Sequence, residues 1–171
     1  MAATQQPHQY LVLVVGMLAG PEAGEQLYRQ SQRQPSRFSF VVPAMKPSFG
    51  LTWTEEQAAD DARERLEMML GFATDLGMDV EGYVYTIADP VDAVRKLATT
   101  AEPAYDELIV IDHPKGTDRW LASSGLRRLE TDPGLPITRL HAHPYMEQGK
   151  RFDRDEYRRQ FEESRRQIRG E

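Results

Sequence analysis

The stretch from Met78 to Asp112, MDVEGYVYTIADPVDAVRKLATTAEPAYDELIVID, constrains the fold more than any other part of the chain. Residues 80–85 read as a strand through Val80, Tyr83 and Tyr85. Asp89 is placed to cap a helix that Pro90 opens and that runs to Thr99 or Thr100. Glu107-Leu108-Ile109-Val110-Ile111 then reads as a strand buried on both faces. Strand, helix and strand in so short a span make a right-handed crossover, the unit from which helix-covered parallel sheets are built.

The flanking sequence continues the pattern. Tyr10-Leu11-Val12-Leu13-Val14-Val15 is a continuous apolar run ending at Gly16, as a central parallel strand requires. A helix is expected over 22–32, with Pro21 in its first turn, and a second strand over 37–42, stopped by Pro43. Residues 44–53 carry Pro47 and Gly50 and read as a loop over the carboxyl edge of the sheet. Thr54-Glu55-Glu56-Gln57 is a capping box opening a long helix. Ala58, Ala62, Leu66, Met69, Ala73 and Leu76 form its buried stripe, with Met68 and Met69 as core filler and Gly77 at the left-handed terminal position. A helix over 118–131, capped by Thr117 or Asp118, and a fifth strand over 135–142 complete the series. Five strands alternating with four helices predict a doubly wound α/β domain.

Composition narrows the function. The chain has 171 residues, enough for one domain with a sizeable core, and no cysteine, which excludes disulfides, thiolate metal sites and cysteine nucleophiles. A net charge of −6 argues against a general nucleic-acid binder. No apolar run approaches the roughly 20 residues that span a bilayer. The polar lead 1–9 and the short run 10–15 do not make a signal peptide, so a cytoplasmic location is expected. From Lys150 onward there are eight basic and six acidic residues, a net of +2. That segment, with Phe152 and Phe161 giving little apolar surface, reads as a charged, solvated terminal helix. Its Arg158-Arg159 and Arg165-Arg166 pairs interleave with acids at helical spacing.

Four local phrases in this order resemble the universal stress protein family across residues 9–142: Leu76-Gly77-Met78-Asp79-Val80-Glu81-Gly82, the helix start at 89–94, Tyr105-Asp106-Glu107-Leu108-Ile109-Val110-Ile111, and the register from Ser123 through Leu129 to Leu135-Pro136-Ile137. The resemblance implies a five-stranded parallel sheet of order 3-2-1-4-5, flavodoxin-like and of the adenine nucleotide alpha hydrolase type. With the composition shift beyond His143, the chain divides into a universal-stress-like α/β domain over 1–144 and a charged helical tail over 145–171. The resemblance also implies a homodimer through the fifth strands, which would cover an exposed sheet edge.

In this fold the ligand crevice opens where the strand order reverses, beyond the carboxyl ends of the first and fourth strands. Nucleotide-binding members are expected to carry an acidic residue after the first strand, a backbone contact to the base at the end of the second, and a glycine-rich phosphate loop after the fourth. Here the first strand ends Val15-Gly16-Met17, without the acid. The loop reads Asp112-His113-Pro114-Lys115-Gly116-Thr117, with one glycine, a proline that lacks an amide donor, and an added negative charge. Ser123-Ser124 replaces the closing Gly-Ser, and Lys115 could substitute for lost amides as a point charge.

The reading is therefore a universal-stress-like binding or regulatory protein in stress response. It acts by dimerisation and partner interaction rather than turnover, without cofactor and without the standard ATP mode; the charged tail is a candidate surface for a protein partner. The alternative is a sensor of ATP or AMP, with Mg²⁺, using Gly16, Val42, Lys115, Gly116, Ser123 and Ser124, with slow hydrolysis as its only turnover. Neither a nucleic acid nor a membrane is an expected partner. His141 and His143 share a strand face but lack further metal ligands, and His113 lacks a nucleophile to serve. Ser123-Ser124 lacks a nucleophile elbow. Trp53 and Trp120 read as packing residues, Trp120 filling space near the shortened loop.

Overall fold

Five parallel strands form one sheet in the order β3-β2-β1-β4-β5, the doubly wound arrangement expected from the sequence. The structure, a computed structural model, describes residues 6–14, 21–44, 54–86, 89–112, 124–141 and 154–171. In chain order the elements are β1 (His8–Val14), α1 (Pro21–Ser31), β2 (Ser36–Pro43), α2 (Glu55–Asp75), β3 (Asp79–Tyr85), α3 (Pro90–Thr100), β4 (Glu107–Asp112), α4 (Leu126–Thr131), β5 (Ile137–His141) and α5 (Arg154–Arg169). Leu11 of β1 is in register with Ser39 of β2 and Leu108 of β4, so β1 is the central strand.

Alternation along the strands divides the core in two. Tyr10, Val12, Val14, Phe38, Phe40, Val42, Ile109 and Ile111 pack beneath α1, α2 and α5. Leu11, Leu13, Val41, Leu108 and Val110 pack with Val91, Ala93, Val94 and Leu129 of α3 and α4. Burial on both faces explains why β1 and β4 are apolar without alternation. Each such side chain contributes about 1.5–3 kcal/mol through removal from water.

The helix signals act as the sequence predicts. Thr54 Oγ1 accepts from the Gln57 amide at 3.1 Å, and Gln57 Oε1 accepts from the Thr54 amide at 2.9 Å, closing the capping box. α2 ends with Gly77 at φ 76°, where its amide donates to Thr74 and the Met78 amide to Ala73, the paired bonds of a left-handed helix terminus. Asp89 caps α3 by accepting from the Val91 amide at 3.0 Å. Ala58, Ala62, Leu66, Met69 and Ala73 are buried, and Met68 and Leu76 pack partly against the same core. Phe72 and Arg65 are also buried, although the stripe read from sequence omitted them. At Gly82 of β3 a Cβ would lie 2.4 Å from Leu66 Cδ1, so glycine there lets α2 approach the strand.

Pro43 ends β2, as expected, but from within the strand: it is the last residue and pairs with Tyr85, with the Ala44 amide donating to the Tyr85 carbonyl at 2.7 Å. That bond fixes the backbone alternation. Val42 and Ala44 turn their backbone groups toward β3, whereas Val41 and Pro43 face β1. Pro43 has no N–H to give the Val14 carbonyl, which accounts for the β1–β2 ladder closing at Leu13 and Val41. Proline thus ends pairing on one side of the strand and leaves the other intact.

The terminal helix is not solvated. Tyr157, Phe161 and Ser164 of α5 are buried, and Ile168 packs partly on the same core. These positions recur at 4, 3 and 4 residues, one helical face that an average over a very polar segment conceals. Phe161 meets Phe72 edge-on with ring centroids 5.3 Å apart, and Tyr157 meets Phe161 at 4.7 Å. Ser164 Oγ donates to Glu25 of α1 and Arg165 pairs with Asp75 of α2. The helix expected over 118–131 is described from Ser124 onward, with α4 proper at Leu126–Thr131; its expected cap at Thr117 or Asp118 lies outside the described residues.

Candidate functional site

The strand order reverses between β1 and β4, so the crevice of this topology opens beyond Val14 and Asp112. Its described floor is apolar: Val14, Val42 and Ile111 are all buried. Of the sequence-predicted site residues, Val42 lies in β2 in register with Val84, and Ser124 is exposed two residues ahead of α4. Gly16, Lys115, Gly116 and Ser123 lie outside the described residues, as do His113, His143, Trp53 and Trp120. His141 ends β5 opposite Asp112 of β4.

Backbone alternation changes which residue at the end of β2 can meet a ligand. Val42 directs its N–H and C=O to β3, while Pro43 directs its backbone toward the β1 side, where the crevice lies. A base read by a paired backbone donor and acceptor would find at Pro43 a carbonyl alone. The sequence signal was the proline itself, visible but interpreted only as a strand stop.

Beside the crevice, α3 and α4 are tied together by charge. Asp89 accepts from Arg128 at 2.6 Å while capping α3, and Arg95 joins Asp132 at 2.7 Å and Asp92 at 3.2 Å. These groups are substantially exposed, so the pairs set the helix arrangement more than they add stability.

A second polar cluster lies on the α3 side of the sheet near its outer strand. Glu81 of β3 accepts from Ser39 at 2.7 Å and from Arg37 at 3.1 Å, and Tyr83 and Tyr105 join through Glu81 and Ser39 respectively. Burial, then the nearby Glu81 carboxylate, pushes the Tyr83 phenol above its ordinary 10.0. Burial likewise raises Tyr105, against a lowering hydrogen bond to Ser39. An unfolded tyrosine ionises near 10.0, so the stability held by these neutral phenols is complete below that pH. It is lost as pH rises through the folded values. Urea midpoints followed between about pH 9 and 11 should show this alkaline loss, diminished in Tyr105→Phe.

A cavity of about 380 Å³ lies at the opposite end of the sheet, against His8, Gln9, Pro35 and Asp106. The Gln9 amide donates to Asp106 there at 2.8 Å, and the Asp106 amide donates back to the Gln9 carbonyl at 2.8 Å. It is a polar recess where β1 and β4 begin, remote from the switch point; Gln9 and Asp106 satisfy one another, whereas His8 Nε2 is buried without a hydrogen-bond partner, 3.6 Å from Glu107. Among the described residues no three metal-ligating side chains converge, and no helix is long and apolar enough to cross a membrane.

Comparison with solved structures fits this geometry. A universal stress protein from Archaeoglobus fulgidus matches with a TM-score of 0.55 and 14% identity, over 78% of this chain and 93% of that one. The fold is that of the universal stress proteins. A second Archaeoglobus fulgidus structure, in complex with dAMP, matches at 0.54 and 12% identity over 78% of this chain and 98% of its own. A family protein from Arabidopsis thaliana with AMP bound matches at 0.53 and 15% identity, over 80% and 93%. No protein-family model and no curated protein sequence matches the chain. The likeness is therefore one of architecture, and it agrees with the resemblance drawn from the four sequence phrases.

Proposed function

We propose that this chain is a stress-linked binding or regulatory protein built on the universal stress fold, working through dimerisation and partner contact rather than turnover. The observation that carries this reading is the carboxyl edge at the switch point. β2 ends on Pro43, which offers the crevice side no amide, and β4 ends on an acidic residue, Asp112, where a phosphate loop would begin. The next residues, His113-Pro114, supply at most one further amide before Lys115. A triphosphate needs converging N–H groups and positive charge, and this edge is poor in both. The reading includes pairing of two copies, for which the resemblance implies the fifth strands. It also includes a protein partner on the outer face of α5, where Arg158, Glu162, Glu163 and Arg166 are exposed.

A second reading is favoured by the AMP and dAMP bound to two proteins of the same fold. A monophosphate asks less of the loop than ATP does. Lys115 would meet its charge, the Pro43 carbonyl could accept from an adenine amino group, and Gly16, Val42, Gly116, Ser123 and Ser124 would line the site.

Calorimetric titration of the nucleotide-stripped protein with AMP, and with ATP and Mg²⁺, tests both. Absence of heat and of thermal shift at millimolar nucleotide supports the partner-binding reading. Micromolar binding weakened about 10- to 100-fold by Lys115→Ala, the loss of one charge-assisted contact, replaces it with the sensor.

A further inference from the structure

β3 is an outer strand of the sheet, and its surroundings select what can lie along it. The Ala44 amide donates to the Tyr85 carbonyl, so Tyr85, and by alternation Tyr83, Glu81 and Asp79, turn their backbones inward to β2. Val80, Gly82 and Val84 turn theirs outward, and among the described residues no strand pairs with them. Exposed edges usually carry lysine, proline or a bulge that discourages pairing. β3 has neither residue, and its register with β2 runs unbroken from Asp79 to Tyr85.

We infer that β3 receives an extended basic peptide of another protein as an added antiparallel strand, its apolar and basic side chains alternating. Main-chain hydrogen bonds to Val80, Gly82 and Val84 hold such a strand, and the two faces of the edge choose its side chains. The site is separate from the outer face of α5 and from the fifth strand, and it stands whether or not the crevice takes a nucleotide.

The α2 face admits short apolar groups. Leu66 of α2 lies against Gly82, while Phe72 lies against Gly24 of α1. Arg63, Glu67 and Leu70 therefore fall on the flank of α2 that faces away from α1 and overhangs the edge. The glycine lets this flank come close. Val80, Val84 and Leu70 beneath it pack only partly against the core, so small apolar side chains opposite Val80, Gly82 and Val84 would complete that burial. A second copy of the chain would bring its own α2 to the same place, whereas a lone peptide strand brings no helix.

The opposite face calls for positive charge. α3 packs against β1 and β2, leaving Asp79 60% and Tyr83 39% exposed. One guanidinium, that of Arg37, faces two carboxylates, Asp79 at 3.9 Å and Glu81 at 3.1 Å, so an acid is in excess. On the overhanging flank Arg63 is engaged by Asp60 at 2.7 Å, and the exposed Glu67 adds to the negative field. Basic residues opposite Asp79 and Glu81 fall in non-hydrogen-bonded pairs, where side chains touch, and one opposite Tyr83 can lie over its ring.

Fluorescence anisotropy on the full chain with a labelled Val-Lys-Val-Lys-Val-Lys peptide tests this. Saturable binding is expected, at least about tenfold tighter at low salt than that of Val-Glu-Val-Glu-Val-Glu. In this register the valine amides face β3 and the lysine amides face away. N-methylation of the valines should therefore weaken binding at least about tenfold, and N-methylation of the lysines by less than about twofold. Glu81→Gln, which keeps a partner for Ser39 and removes the charge, should weaken the lysine peptide about 3- to 10-fold. No saturable binding at millimolar peptide overturns the proposal. Equal weakening by both N-methylation patterns, or equal affinity for the acidic peptide, overturns it as well. So does a dimer in sedimentation velocity that the lysine peptide dissociates, since a second copy would then hold the edge.

Discussion

Tyr157→Ala is expected to lower the stability of the folded chain by about 3–5 kcal/mol, the range for emptying a buried aromatic site. Tyr157 is 1% exposed and lies against Phe161, whose ring meets Phe72 of α2 edge-on. These three rings join α5 to the core beneath α1 and α2, and alanine would both leave a cavity and remove an aromatic pair. Elsewhere the helix is held by Ser164 bonding to Glu25 and by Ile168 packing partly on the core. Its ion pair from Arg165 to Asp75 and its internal pair from Arg159 to Glu156 are partly exposed, and such pairs stabilise weakly. Urea denaturation followed by far-ultraviolet circular dichroism would measure the loss. A midpoint unchanged by Tyr157→Ala would mean that α5 behaves as the solvated tail read from composition. The same packing implies that removing everything after Lys150 would uncover Phe72 and the end of α2, so such a truncation tests folding as well as partner contact.

The sequence was most legible where local chemistry and tertiary demand agree. Thr54 with Gln57, Gly77, and Asp89 with Pro90 each satisfy an identifiable backbone group, and the structure uses each as predicted. The apolar runs of β1 and β4 had one sensible placement, at the centre of a sheet covered on both faces. Legibility failed where a residue acts through direction. Pro43 reads as a strand terminator because proline cannot donate, and β2 does end there, but the missing donor matters only on the β1 side. That direction cannot be known until the β3 register is. α5 failed for a related reason: its three apolar residues are few, and only their common face makes them a core element. Tyr83, Glu81, Arg37 and Ser39 come together from two strands separated by α2, beyond the reach of any local motif. For the crevice, motif reading identified departures from a nucleotide site. The geometry adds that the backbone facing it at the end of β2 belongs to Pro43 rather than to Val42.

Leu129→Ala is expected to cost about 2–5 kcal/mol, and the loss should be concentrated in α4. This helix is only six residues long, too short to persist on propensity, and it has no side-chain cap. Leu129, fully buried, fixes it against Leu11, Leu13, Leu108 and Val110 on the α3 side of the sheet. Leu126 packs only partly, and the contacts from Arg128 to Asp89 and from Arg95 to Asp132 are exposed. Without the Leu129 anchor, α4 should open without the rest of the chain. Amide exchange at residues 126–131 would then accelerate far more than exchange in β1 and β4, because local and global opening are separate equilibria. Equal acceleration throughout would show instead that α4 belongs to the cooperative core. The distinction bears on function because Ser124, a sequence-predicted site residue, directly precedes this helix. A helix held by one leucine sets how firmly that side of the crevice is positioned for a ligand. Leu129→Ala should therefore weaken any crevice ligand by loosening that side of the site.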